Sequence, residues 1–283
     1  KLVTTQRDYM AGIVSTEITR KYLLPPDIVQ AHDKGIAHFH DADYEGQNAL
    51  TNCCLINLND MLQHGTVING VKINKPHRLL TATTIASQII TAVSSSQYGG
   101  CTITLSHLAP FVRDSYKLYE NKYKSYGLNK DDVDKLAMMD LKKEIRDAVQ
   151  TFNYQVNSMS TTNGQAPFIT VFMYINENPE YATETAMLIK EFLKQRIEGM
   201  PDRTGHMVTQ AFPKLIYALD KNNMELGSEY YDLTKLAAYS TAKRMNPDYV
   251  SVKVMEDYKG AAFPSMGCRS WLTPDTATEN LAN

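Results

Sequence analysis

The chain has 283 residues, 43% of them hydrophobic and 21% charged, with a net charge of −2 at pH 7. That length buries one large core or two modest ones, and a balance this close to neutral excludes a broad basic field for polynucleic acid. No apolar run approaches the roughly 18 residues of a membrane span, and four cysteines without a CxxC pair exclude a disulfide scaffold and argue against a ribbon-type zinc site.

Residues 1–32 read as helices. Val14, Ile18, Tyr22 and Leu23 fall at helical spacing. Pro25-Pro26 breaks the run, and a second helix over 27–34 starts on Asp27 as its N-cap and stops at Gly35. Residues 36–44 alternate and read as a short strand, which would put His38 and His40 on one face. Two histidines so placed suit a structural hydrogen-bond network better than a metal, because no further ligands can be assigned.

Residues 49–57 read as a buried strand. Cys53 and Cys54 are neighbours on it and point to opposite faces, so only one looks into any central cavity. Asn69-Gly70 inside 67–73 predicts a two-residue hairpin. A helix over 81–93 follows, with Gln88 on a face of small and polar residues. Ser94 to Gly100 reads as a polar, glycine-containing loop whose hydroxyls and N–H groups suit phosphate. Two long helices follow, over 108–126 and 129–159. On the second, Leu136, Met139, Lys143 and Arg146 form a stripe, ordinarily a solvated face. Strands over 167–175 and 212–218 alternate with helices over 179–197 and 228–243, and 250–255 alternates again. The alternation predicts an α/β fold.

The chain then reaches Phe263-Pro264-Ser265-Met266-Gly267-Cys268-Arg269-Ser270-Trp271-Leu272. Pro264 and Gly267 discourage regular structure, so Cys268 is expected on a tight loop that can project into a cavity. Taken by residue type alone, a buried cysteine packing as a small hydrophobe fits as well.

The run from Pro264 to Leu272 resembles the signature of the anaerobic (class III) ribonucleoside-triphosphate reductases, which are glycyl radical enzymes. The resemblance continues, in the family's order, through His38-Phe39-His40-Asp41-Ala42-Asp43-Tyr44, Asn52-Cys53-Cys54-Leu55-Ile56, Ser95-Ser96-Gln97-Tyr98-Gly99-Gly100, Asn163-Gly164-Gln165-Ala166-Pro167-Phe168, Phe212-Pro213-Lys214 and Asn246-Pro247-Asp248-Tyr249-Val250. Each run alone is weak. The ordered set is specific and spans nearly the whole chain.

The resemblance implies part of a ten-stranded β/α barrel, with an internal loop carrying Cys268. Residues 1–283 would be the N-terminal and central part of the catalytic barrel domain. The family's C-terminal glycyl radical loop and its cysteine-rich zinc site are not visible. The sequence starts at Lys1 and stops fifteen residues past Cys268, so it reads as a segment without turnover of its own.

In the implied roles, Cys268 becomes a thiyl radical and Cys53 serves the reduction from the opposite wall. Cys53 is chosen over Cys54 because it follows Asn52, as the family's first redox cysteine does. Met266 stabilises or packs beside the radical sulfur. His38, His40, Ser95, Ser96, Asn163, Gln165 and Arg269 are candidates for holding substrate. Gln88, Lys143 and Arg146 are candidates for the regulatory nucleotide, and Cys101 is structural. No residue is assigned to a metal.

The implied partners are a ribonucleoside triphosphate, ATP and dNTP effectors, a radical S-adenosylmethionine activase and a second copy docked through helices 108–159. Formate is the expected reductant, with a thioredoxin-like one left open, and the expected setting is cytoplasmic. Two alternatives stand beside this reading. One is another glycyl radical enzyme of formate-lyase or dehydratase type, where an adjacent Cys-Cys pair also occurs. The other is a nucleotide-sensing dimerisation fragment.

Overall fold

The computed structural model describes residues 3–46, 53–96, 99–161, 166–268 and 270–271. Its centre is a five-stranded parallel sheet in the order β1 (Cys54–Leu55), β4 (Cys101–Thr104), β5 (Ile169–Met173), β8 (Lys214–Leu219) and β9 (Asp248–Ser251). Three antiparallel ribbons accompany it: β2 (Thr66–Ile68) with β3 (Val71–Ile73), β6 (Met200–Pro201) with β7 (Met207–Val208), and β10 (Ser265–Met266) with β11 (Ser270–Trp271). The first is the hairpin expected at Asn69-Gly70, and both turn residues take positive φ, 50° and 79°.

The helices are α1 (Val3–Ile18), α2 (Pro26–Asp33), α3 (Ala42–Glu45), α4 (Leu58–Gln63), α5 (Leu79–Ser96), α6 (Ala109–Lys124), α7 (Lys130–Ser158), α8 (Ala182–Glu198), α9 (Lys221–Met224), α10 (Tyr231–Arg244) and α11 (Val252–Lys259). Parallel strands need helical crossovers, which is why long helices separate them. Alternate residues of β4, β5 and β8 (Ile103, Val171, Leu215 and Tyr217 among them) enter one large core with α5, α6, α7 and α8. The intervening Phe172, Ile216 and Ala218 form a second cluster on the other face with Val252, and Trp271 packs on it. Helix α5 is buried despite its Thr and Ser content. Thr83, Ser87 and Thr91 satisfy their hydroxyls on carbonyls four residues back. Helix α7 begins where Asn129 caps it by accepting from the Asp132 N–H. Among the described residues no helix is long and apolar enough to cross a membrane.

Several sequence expectations need correction. Residues 36–41 form no strand and 42–45 are helical, so His38 and His40 share no strand face. Asp27 lies in the first turn of α2 after an N-cap at Pro25, because proline's fixed φ already starts the helix there. Of the strand expected over 49–57, the described part is strand only at Cys54–Leu55. Residues 252–255 are helical: Ser251 accepts from the Val254 N–H and turns the chain from β9 into α11. Ser94, Ser95 and Ser96 are the last turn of α5 rather than a loop.

Candidate active site

Strand register sets the site. Leu55, Thr102, Thr170 and Lys214 lie in one row across four parallel strands. Their sequence neighbours Cys101, Ile169 and Leu215 belong to the helix-side core, so this row belongs to the opposite, inner face. Cys53 lies two residues before Leu55 and takes the same face. Cys54 packs the other way, against Cys101. The expectation that the two neighbouring cysteines diverge holds.

The loop between β10 and β11 lies on that inner face. Gly267 has φ 69°, a left-handed conformation suited to glycine. Its carbonyl accepts from the Thr102 hydroxyl at 2.9 Å and from Ser265 Oγ at 3.4 Å. Gly100 makes the approach possible, since a Cβ there would lie 3.2 Å from the Gly267 Cα. A Cβ on Gly267 would sit 2.5 Å from the Cys53 sulfur. The turn therefore rests directly on Cys53, and Cys268 is the next residue. Lys214 Nζ donates to Cys268 Sγ at 3.1 Å. Among the described residues Lys214 forms no ion pair, so its ammonium is spent on a sulfur rather than a carboxylate.

A cavity of about 240 Å³ opens beside that row, toward the C-terminal ends of the strands, lined by Leu55, Thr102, Thr104, His107, Glu177 and Pro264 among others. The Glu177 carboxyl accepts from the Thr104 and Ser106 hydroxyls, the latter at 2.7 Å. Burial raises its pKa against those two donors. Burial also draws His107 down to about 4 and keeps it neutral.

The other sequence candidates scatter. Met266 is on β10, paired with Ser270 at the base of the loop. The His38 ring lies between those of His32 and His40, tilted against both, at ring separations of 5.2 and 5.6 Å, beside α2. Ser96 donates to the Ala92 carbonyl of its own helix. Ser95 and Ser96 end a helix, where carbonyls rather than N–H groups are exposed, so that terminus disfavours phosphate. Asn163, Gln165 and Arg269 lie outside the described residues. Lys143 and Arg146 line a cleft of about 560 Å³ between α7 and α8 with Lys142, Lys190 and Lys194. Gln88 is exposed on α5 and is not among the residues lining it. Sequence reasoning missed Lys214, Thr102 and Glu177. For Lys214 a signal existed: a lysine opening an otherwise apolar strand sits at the strand's end, where its charge can reach a site.

A family model described as anaerobic ribonucleoside-triphosphate reductase matches residues 1–283. The anaerobic ribonucleoside-triphosphate reductase of Salmonella typhimurium is 37% identical over 275 residues, covering 96% of this chain and 37% of that protein. The enzyme of that name from Enterobacteria phage T4 is 36% identical over 282 residues, covering 96% of this chain and 44% of that protein. This chain thus spans less than half the length of the curated relatives it matches. In fold it is similar to the crystal structure of the anaerobic ribonucleotide reductase from Thermotoga maritima in complex with dATP and CTP. The TM-score is 0.58 at 13% identity, over 89% of this chain and 42% of that one.

Proposed function

We propose, from the premise that this chain belongs to the anaerobic ribonucleoside-triphosphate reductase family, that it is the part of the catalytic subunit carrying both reacting sulfurs. The observation that supports this is the seating of the Gly267 turn on the Cys53 sulfur, with Cys268 next in the chain. On this reading two sulfurs from distant parts of the sequence lie on one face of the sheet, where the substrate ribose would be held. The five-stranded sheet is one half of a ten-stranded barrel that the rest of the subunit closes, keeping the site dry.

Replacing a ribose 2′-hydroxyl by hydrogen is difficult because hydroxide leaves a saturated carbon poorly. A radical at the neighbouring 3′ carbon weakens that bond. The family's glycyl radical, on a region outside this chain and installed by a separate activase, supplies the unpaired electron. Cys268 takes the 3′ hydrogen atom and returns it to the same carbon at the end. Cys53 gives a proton to the departing hydroxyl, which leaves as water. Formate supplies the two reducing electrons and ends as carbon dioxide. Thr102 fixes the loop carbonyl, and Lys214 fixes the Cys268 side chain. Among the described residues no group of three or more His, Cys, Asp and Glu is placed to hold a metal ion, and no step runs through one.

The Thermotoga maritima enzyme was crystallised with dATP and CTP, and nucleotide regulation carries over to this chain as part of the proposal. Lys143 and Arg146, with Lys142, Lys190 and Lys194, offer phosphates a basic cleft. The test is the full-length protein, activated anaerobically and supplied with formate and each ribonucleoside triphosphate. Deoxyribonucleotide is expected, and it should disappear in Cys268→Ser and Cys53→Ser while nucleotide binding remains. Product from either variant overturns the roles given to these sulfurs.

A further inference from the structure

The reaction proposed above uses two of the four cysteines. The other two, Cys54 and Cys101, form a pair on the helix side of the sheet. They are register partners on the adjacent parallel strands β1 and β4, and their sulfurs are 3.4 Å apart. Neighbouring strands lie about 4.8 Å apart, within the roughly 4.4–6.8 Å of Cα separation that a disulfide spans. Both side chains point to the same face, so the sulfurs already face one another across the strand pair.

We infer that Cys54 and Cys101 form a reversible oxidation site, which closes to a disulfide when the protein meets a small-molecule disulfide. Cys101 is fully buried, and the Ser94 hydroxyl of α5 lies 3.5 Å from its sulfur. Cys54 is partly open to solvent and gives the oxidant its point of entry. The shared S–H contact and burial push the Cys54 thiol up, while that contact and the Ser94 hydroxyl, against burial, draw Cys101 down to about 7. The first proton lost by the pair leaves one thiolate shared across the 3.4 Å contact, stabilised by the remaining S–H, and the partly open Cys54 sulfur is the one a small disulfide can reach.

The chemistry is thiol–disulfide exchange. One cysteine sulfur attacks the small disulfide, forming a mixed disulfide and releasing one small thiolate. The second cysteine attacks the mixed disulfide, forming the Cys54–Cys101 bond and releasing the other. Two electrons and two protons pass from the cysteines to the reagent, which leaves as two thiols. The sulfurs on the inner face are not consumed.

The bond would act at a weak point of the sheet. β1 is two residues long, joined to β4 through the Cys54 N–H to the Gly100 carbonyl and the Ile56 N–H to the Thr102 carbonyl. Cys53 immediately precedes Cys54. Closing the back-face pair fastens the strand that presents Cys53, without touching Cys53 itself.

The test incubates the full-length protein anaerobically with 2-hydroxyethyl disulfide, quenches with acid, alkylates the free thiols after unfolding and maps peptides by mass spectrometry. Cys53 and Cys54 share a tryptic peptide, so variants assign the link. The expected result is a link from that peptide to the Cys101 peptide in the unsubstituted chain and in Cys53→Ser. It should be absent in Cys54→Ser and Cys101→Ser, reversed by dithiothreitol, and accompanied by a higher Tm. A link that persists in Cys54→Ser, or a Cys101 that stays fully alkylatable in the unsubstituted chain, overturns the inference. The positive arm uses only Cys53→Ser and the unsubstituted chain, so the outcome stands even if Cys101→Ser fails to fold. Because nothing here requires turnover, failure of the reductase reading leaves this result intact.

Discussion

Gly267 and Cys53 are in direct contact: the space where a side chain on Gly267 would begin is already filled by the Cys53 sulfur, 2.5 Å from that point. Gly267 also holds φ 69°. Gly267→Ala therefore meets both a clash and a disfavoured backbone. The expected cost is about 1–3 kcal/mol of local stability from the backbone alone. Faster amide exchange over 265–271, together with loss of deoxyribonucleotide formation in the activated full-length protein, checks it. Unchanged exchange there would falsify the packing of the turn on Cys53.

Lys214→Met removes the one hydrogen-bond donor to the Cys268 sulfur among the described residues. A hydrogen bond to a charged group contributes about 1.5–3 kcal/mol, so turnover in the full-length enzyme should fall by about 10- to 100-fold. Lys214→Arg keeps the charge and should recover part of the rate. Steady-state kinetics should show the loss in kcat, with the KM for nucleotide little changed. A loss confined to KM would instead place Lys214 on the substrate.

Glu177 gives a pH signature. Burial raises its folded-state pKa above the unfolded value, so the folded chain keeps a proton that the unfolded chain releases. The associated stability is complete below the unfolded value of about 4.3 and is lost as pH rises through the folded value. Glu177→Gln keeps the size and removes the ionisation. Its Tm should exceed that of the unsubstituted chain at pH 7, by about 2–4 °C for each kcal/mol of relieved burial cost. The difference should vanish by pH 4, as thermal melts across that range would show.

Glu144 has the opposite sign. It is 4% exposed and ties α7 to the start of α5, accepting from Arg78 Nε at 2.8 Å and from the Leu80 N–H at 3.1 Å. Burial opposes its ionisation, but Arg78, the Leu80 N–H and Tyr119 outweigh it and hold its pKa down. Its contribution is present above the unfolded value and is lost as pH falls through the folded one. Glu144→Ala strands a half-exposed arginine and a backbone N–H, and should cost about 2–3 kcal/mol. Chemical denaturation at pH 7 measures it. At a pH low enough to protonate Glu144, most of the difference should be gone.

Reversing charge in the α7–α8 cleft, with Lys190→Glu and Lys194→Glu together, should weaken triphosphate binding and flatten its salt dependence. Lys253→Glu on α11, which is paired with Asp257 and is not among the cleft-lining residues, is the control. Calorimetric titration with dATP reads both. Equal loss in the control would remove the cleft from the proposal.

The sequence by itself determined the α/β alternation, the hairpin at Asn69-Gly70, the long helices and the tight loop at Gly267. Each follows from local rules: strand and helix periods, turn residues and caps. It also fixed that Cys53 and Cys54 diverge, because strand side chains alternate. Where local signals conflicted, the sequence misled: His38-Phe39-His40 alternates like a strand but joins no strand among the described residues, and Ser94 to Ser96 looks like a loop but completes helix α5. Only the tertiary structure brought Lys214 to Cys268 and Gly267 to Cys53, residues 54 and 214 positions apart. Strand order and register decide such meetings, and both arise from how distant segments share a core, which no local window contains.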